Sequence, residues 1–236
     1  MRFLDDVTVE LVKHSASDTD VLWAARVSTA GEQSLEELEK DPQRSKGLIN
    51  FLMRDRHGSP FEHNSMTFFV SAPIFVFREF QRHRVGWSYN EESGRYRELQ
   101  SAFYVPGKER KLVQEGKPGH YVFTPGTPEQ HKLVNEAMEG SYRQSYAAYQ
   151  EMLEAGVARE VARAVLPLGL FSTMYATCNA RSLMHFLSLR TQHEQARVPS
   201  FPQREIEMVA ERMEAVWAEL MPLTHAAFVA NGRVAP

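Results

Sequence analysis

Prolines at positions 42, 73, 128 and 167 constrain this chain more than any other feature. A residue with a fixed φ and no N–H breaks a regular helix from within but is tolerated at its first position. "SMTFFVSA" (65 to 72) reads as a buried strand from its aromatic and β-branched content. Pro73 then predicts a helix that starts there and carries "PIFVFREFQRHR". Pro42 interrupts "EELEKDPQRSKGLINFLMRD", which reads as helical on both sides of it. "TPEQ" (127 to 130) offers Thr127 as N-cap, proline at the first position and glutamine at the third, so a long helix is expected to about Ala155, ended by Gly156. Pro167 stops a helix around "REVARAVLP", and "NARSLMHFLSLR" starts from Asn179 as its cap.

Periodicity fills in the rest. "VTVELV" (7 to 12) alternates apolar and polar residues as a strand does, and "SDTDVLWAARVST" (17 to 29) opens a helix from capping residues. Ile206, Val209, Ala210, Met213, Val216, Trp217 and Leu220 recur at three and four, the mark of an amphipathic helix. "KERKLVQEGKPGHYVFTPG" reads as surface loop with a short extended piece at Tyr121 to Phe123. The sum is a mixed α and β chain, richer in helix. Its 236 residues fit one domain, spanning 1–236.

Composition removes several classes of function. No apolar run approaches the roughly 20 residues that span a bilayer, and the acids in "MRFLDDVTVELVKH" oppose a secretory signal, so no membrane association and a cytoplasmic location are expected. Cys178 is the only cysteine, which excludes an internal disulfide and a site built on several thiolates. No cysteine-nucleophile motif surrounds it, and a lone cysteine is ordinarily a small buried hydrophobe. A net charge of -3 opposes a general polyanion binder, so any basic character is local.

Local basic character is dense in "RHRVGWSYNEESGRYR" (82 to 97). If the helix from Pro73 continues through it, Arg78 and Arg82 share one face and Glu79 and His83 the next. Charge runs are ordinarily solvated faces, and Glu79, Glu91, Glu92 and Glu98 nearly balance the arginines. Trp87, Tyr89 and Tyr96, however, offer flat surfaces for a ring, Gly86 and Gly94 permit close backbone approach, and arginine matches phosphate in a two-pronged geometry. These features suit a nucleotide. They also suit a single-stranded nucleic acid, against which the acidic balance argues. "HGSPFEHNS" (57 to 65) holds His57, Glu62 and His63, yet their spacing fits no helical metal motif and no metal is expected. Farther on, Arg181 and His185 lie four apart on the helix capped by Asn179, whose free N–H groups make an anion seat.

Together, "RHRVGWSYNEESGRYR", "SPFEH" and "ARAVLP…TCNARSLMHFLSLR" resemble the flavin-dependent thymidylate synthases, in that family's order and over roughly residues 20 to 210. An arginine–histidine–arginine triplet followed by a serine is the family's signature. Eight residues separate Arg84 from Ser93 here, one more than the family's usual seven, and the extra residue falls within 85–87.

The resemblance implies an antiparallel sheet flanked by helices, an α+β fold. It implies reductive methylation of deoxyuridylate (dUMP) to thymidylate, with carbon from 5,10-methylenetetrahydrofolate and reducing equivalents from NADPH passed through FAD. Ser28, Ser59, Arg82, His83, Arg84, Glu91, Asn179, Ala180, Arg181 and His185 then belong to the flavin site. Glu79, Phe80, Gln81, Arg82, Glu91, Glu92, Ser93, Gly94, Arg95 and Arg163 belong to the nucleotide, although the family often has glutamine where Glu79 stands. Arg190 is the implied catalytic residue, set against the pyrimidine so as to favour its ionised form. The family is a homotetramer whose active sites lie at subunit interfaces.

Overall fold

The computed structural model describes residues 1–31, 41–118 and 120–236. Its strands are β1 (Arg2–Leu4), β2 (Thr8–Ser15), β3 (Ser65–Pro73), β4 (Trp87–Glu91), β5 (Ala102–Tyr104), β6 (Val113–Lys117), β7 (His120–Thr124) and β8 (Phe171–Cys178). Its helices are α1 (Asp18–Ala30), α2 (Pro42–Arg54), α3 (Ile74–Phe80), α4 (Pro128–Glu154), α5 (Arg159–Ala162), α6 (Ala180–Arg190), α7 (Arg204–Leu220) and α8 (Pro222–Ala230). Short 3-10 turns span Ser59–Glu62 and Arg163–Val165. The helix expected before Pro42, over residues 36–40, lies outside the described residues.

Most helix starts are where local chemistry puts them. Ser17 and Asp20 form a reciprocal capping box at α1, and Thr127 and Gln130 form another at α4. Asp41 caps α2 with Pro42 in its first turn, and Asn179 caps α6. Pro73 is both the last residue of β3 and the N-cap of α3. The expected run of helix through "PIFVFREFQRHR" is corrected, because α3 ends at Phe80. Beyond it, the His83 carbonyl accepts from the Tyr89 hydroxyl and the Arg84 carbonyl from the Trp87 N–H, so neither is available to a continuing helix. Arg82 and His83 are therefore loop residues, outside the helix of Arg78 and Glu79.

The chain divides into two compact units. The first comprises Met1–Thr8, Ser71–Gln81 and Asn90–Met174. In it β1 pairs with β5 in parallel, a short two-stranded addition to the mixed helix-and-sheet fold expected. Strands β6 and β7 form an antiparallel hairpin with Val113 opposite Thr124, where a loop with one extended piece was expected. Tyr142 of α4 stacks on Phe103, and Leu99, Val105 and Leu170 complete that core.

The second unit comprises Val9–Val70, Arg82–Tyr89 and Tyr175–Pro236. The four-stranded sheet runs in the order β2, β3, β8, β4. Thr67 and Thr177 join their hydroxyls at 2.9 Å between β3 and β8. Helix α2 packs on α8, and α6 on α7. Asp18 holds the start of α8 by accepting from the N–H groups of Leu223 and Thr224, both at 2.8 Å. No described helix is long and apolar enough to cross a membrane.

Candidate functional site

In the second unit, Arg190 stands at the last position of α6 and its Nε–H donates to His83 Nε2 at 3.1 Å. That bond makes Nε2 the acceptor and leaves the imidazole proton on Nδ1. Phe186, one turn before Arg190, meets the His83 ring edge-on at 4.9 Å and Trp87 at 5.4 Å. Trp87 in turn stacks on Tyr89 at 5.6 Å, and the Tyr89 hydroxyl closes on the His83 carbonyl. A guanidinium is thus held by an imidazole that three aromatic rings fix in place.

Burial holds the His83 imidazole down to about 4 from its ordinary 6.5, and the charges of Arg190, His185 and Arg82 act in the same direction. The imidazole is neutral at physiological pH, as its acceptor role requires. Between the two pKa values the unfolded chain binds the proton and the folded chain does not, so stability should fall as pH drops from 6.5 to 4. Allowing for partial solvent exposure, the loss expected from this group is roughly 1–2 kcal/mol. Urea melts of the wild type and of His83→Gln across this range check it, since the variant should lack that portion of the slope.

Residues 85–87, where the extra residue of the signature was expected, lie in a turn closed by the Trp87 N–H on the Arg84 carbonyl. Gly86 adopts φ 70°, and a Cβ there would lie 2.0 Å from Ser182 Oγ. The Ser182 hydroxyl donates to the Val85 carbonyl at 3.0 Å, which ties the turn to α6.

The start of α6 differs from the anion seat expected of it. The Ala180 N–H donates to Asn64 Oδ1 at 2.8 Å and the Ser182 N–H to Asn179 Oδ1 at 2.9 Å, so two donors of its first turn are already taken. The Arg181 guanidinium lies against Gly58, pairs with Glu62 and donates through Nε to the Pro236 carbonyl at 2.7 Å. Ser59, next to Gly58, opens the 3-10 turn and is exposed. His185 is exposed one turn beyond Arg181, and partial burial, then Arg181 and Arg56, lowers its pKa. Arg82 and Arg84 are exposed. Ser28, in the last turn of α1, donates to its own helix at Ala25. His57 stacks on Phe51 and His63 meets Trp23 edge-on.

In the first unit, Ser172 Oγ donates to Glu91 Oε1 at 2.7 Å. Burial raises the Glu91 carboxyl; the Ser172 bond opposes this, Glu92 adds to it, and Arg163 opposes it again. Gly94 is buried, and a Cβ on it would meet Leu99 at 2.8 Å and Arg163 Cδ at 3.1 Å. Ser93 gathers the turn: its hydroxyl accepts from the Arg95 N–H, and its carbonyl from those of Tyr96 and Arg97. Arg95 pairs with Glu160 at 3.0 Å and Arg97 with Glu92 at 3.8 Å. Phe80 is buried, Glu79 half-buried and Gln81 exposed.

The structure therefore groups Glu91, Glu92, Ser93, Gly94, Arg95 and Arg163 in one unit. In the other it joins His83 to Arg190, and Arg181 to the neighbourhood of Ser59. Sequence reasoning missed Asn64 and Ser172, which carry no motif, and treated Phe186 as simple packing. Burial pushes the Cys178 thiol far up, which opposes a thiolate nucleophile.

The family described as "Thymidylate synthase complementing protein" matches residues 10–223. The "Flavin-dependent thymidylate synthase" of Streptomyces avermitilis is 82% identical over 99% of this chain and 95% of its own length. That of Tropheryma whipplei is 58% identical over 99% of this chain and 97% of its own. A crystal structure of "a UMP/dUMP methylase PolB" from Streptomyces cacaoi bound with 5-Br dUMP covers 100% of both chains at 57% identity and a TM-score of 0.94. Its counterpart bound with 5-Br UMP gives 0.92 at 56% identity. With its fold and nearly its whole length matched in this way, the chain belongs to the flavin-dependent thymidylate synthases, a family of methyl-transferring flavoenzymes.

Proposed function

We propose that this enzyme converts dUMP to thymidylate in the cytoplasm, with 5,10-methylenetetrahydrofolate as carbon donor and NADPH as reductant through bound FAD. The observation that carries this reading is the guanidinium of Arg190, held by a neutral imidazole beside an aromatic cluster. A uracil ring attacks through carbon once negative charge gathers on its amide system, and a fixed guanidinium stabilises that charge best where water is largely excluded. Arg190 serves as that electrostatic catalyst. No strong protein nucleophile is needed, in keeping with the buried, protonated thiol of Cys178.

The residues present suit a flavin dinucleotide. Arg82 and Arg84 supply exposed cations for a pyrophosphate, and Gly58, with no side chain, lets the Arg181 guanidinium lie close against its backbone beside Ser59. With them Ser28, Ser59, His83, Glu91, Asn179, Ala180, Arg181 and His185 are assigned to holding FAD. When bound, the flavin supplies the hydride chemistry. Glu79, Phe80, Gln81, Arg82, Glu91, Glu92, Ser93, Gly94, Arg95 and Arg163 are assigned to the nucleotide, with Arg190 at its base. The chain acts as one domain over 1–236 within a homotetramer whose active sites lie at subunit interfaces, and it takes neither nucleic acid nor membrane as partner.

The purified protein should be yellow, and anaerobic NADPH should bleach it. Adding dUMP and methylenetetrahydrofolate should then yield thymidylate. A colourless protein whose nucleic-acid affinity falls steeply with salt would overturn this reading. A broader substrate range is favoured by one observation, the likeness to a UMP/dUMP methylase. Turnover on UMP beside turnover on dUMP decides it.

A further inference from the structure

Arg190 owes its place to the end of α6, and the groups that hold that end lie outside every motif read in the sequence. Thr191, the next residue, is 5% exposed and engaged through all its polar atoms. Its N–H donates to the Leu187 carbonyl at 3.1 Å and its hydroxyl to the same carbonyl at 2.7 Å. Its own carbonyl accepts from the Ser200 hydroxyl. Its Oγ1 also accepts from Arg233 Nη2 at 2.8 Å.

Arg233 is 3% exposed and adopts φ 55°, which is uncommon for a residue with a side chain. Its guanidinium pairs through both Nη atoms with Glu214, Nη2 reaching Oε2 at 2.7 Å, and lies 5.1 Å from the Phe228 ring. Glu214 Oε1 also meets His225 Nε2 at 2.9 Å. The Arg233 carbonyl accepts from the Ser188 hydroxyl at 2.7 Å, so the same residue grips α6 one turn earlier. Taking two charges out of water is costly, and well-packed apolar residues serve a core at least as well. A buried pair whose spare donor is aimed at the residue after Arg190 therefore calls for a role beyond packing.

We infer that the Glu214–Arg233 pair, acting through Thr191, positions Arg190 for the reaction. The inference rests on the assignment of Arg190 to the pyrimidine. Neither residue touches the reacting atoms, so both are positioning residues. The consequence is confined to how well the guanidinium meets charge on the ring.

Two variants test it on the flavin-loaded enzyme. Thr191→Val cuts the link and keeps the ion pair. Glu214→Leu combined with Arg233→Met replaces the pair by apolar side chains that preserve packing. The probe is 5-fluorodeoxyuridylate, whose bound ring reports ionisation of its N–H by fluorine NMR. Both variants should melt cooperatively, with kcat for dUMP lowered about tenfold or more and KM within about threefold of wild type. The ionisation midpoint of the bound ring should rise by about one pH unit, a tenfold loss of preference for the anion. Arg190→Ala serves as reference. If it shifts the midpoint while both variants leave midpoint and kcat unchanged, the positioning role is overturned, whatever happens to the melting temperature. If Arg190→Ala itself leaves the midpoint where it was, the assignment of Arg190 to the pyrimidine fails and takes this inference with it.

Discussion

Replacing Arg190 with alanine should lower turnover about 10²- to 10³-fold, the range for removing one preorganised donor from developing negative charge. Folding should survive, because the side chain is only half-buried and it hydrogen-bonds His83 rather than filling the apolar core. The loss should fall mainly on kcat, since the charge it answers develops fully only in the transition state. Arg190→Lys should recover little of it. An ammonium lacks the planar fork that can hold His83 with one nitrogen and face the ring with others. Steady-state rates with dUMP, set beside thermal melts of each variant, provide the check. Turnover equal to wild type in Arg190→Ala would remove the residue from the mechanism.

Arg233→Ala should be strongly destabilising, costing about 3 kcal/mol, because Glu214, largely buried, is left with only His225 as its partner. Burial by itself would raise the Glu214 carboxyl; hydrogen bonds from Arg233 and then His225 bring it down to about 2. The sign of the pH dependence follows. A carboxyl with a depressed folded pKa contributes stability that is present above its ordinary 4.5 and is lost as pH falls towards 2. Wild type should therefore lose stability over this window in addition to the loss between 6.5 and 4 tied to His83. Arg233→Ala should lack the lower portion. Denaturant melts of both proteins at steps from pH 7 to pH 2.5 measure the two portions separately.

The sequence made the helix boundaries legible where the deciding chemistry is local. Capping boxes at Ser17 and Thr127 and the Asn179 cap involve residues within three of each other, so no distant contact can hide them. Strands depend on partners far along the chain, and they were read less well. β8 alternates buried and outward residues over 174–178, a short period-two signal that follows Pro167 and Gly169. β6, "VQEGK", has no apolar alternation and exists because β7 pairs with it. β1 is three residues long and pairs across a hundred positions with β5. The overextension of α3 arose from reading "RHR" by helical spacing, when the Tyr89 hydroxyl and the Trp87 N–H claim the carbonyls that such a helix would use.

For the site, three sequence blocks pointed to a family by resemblance, whereas the arginines, aromatics and glycines by themselves suited a nucleotide and a single-stranded nucleic acid alike. Which of those residues hold one another was decided only in three dimensions. His83 and Arg190 are 107 positions apart, and Arg233 reaches Thr191 from 42 positions away. A one-dimensional pattern records backbone preference within a turn or two. The direction of a guanidinium is set by whatever the tertiary fold packs beside it, and here that includes the His83 imidazole, itself set against Phe186, from a separate stretch of chain.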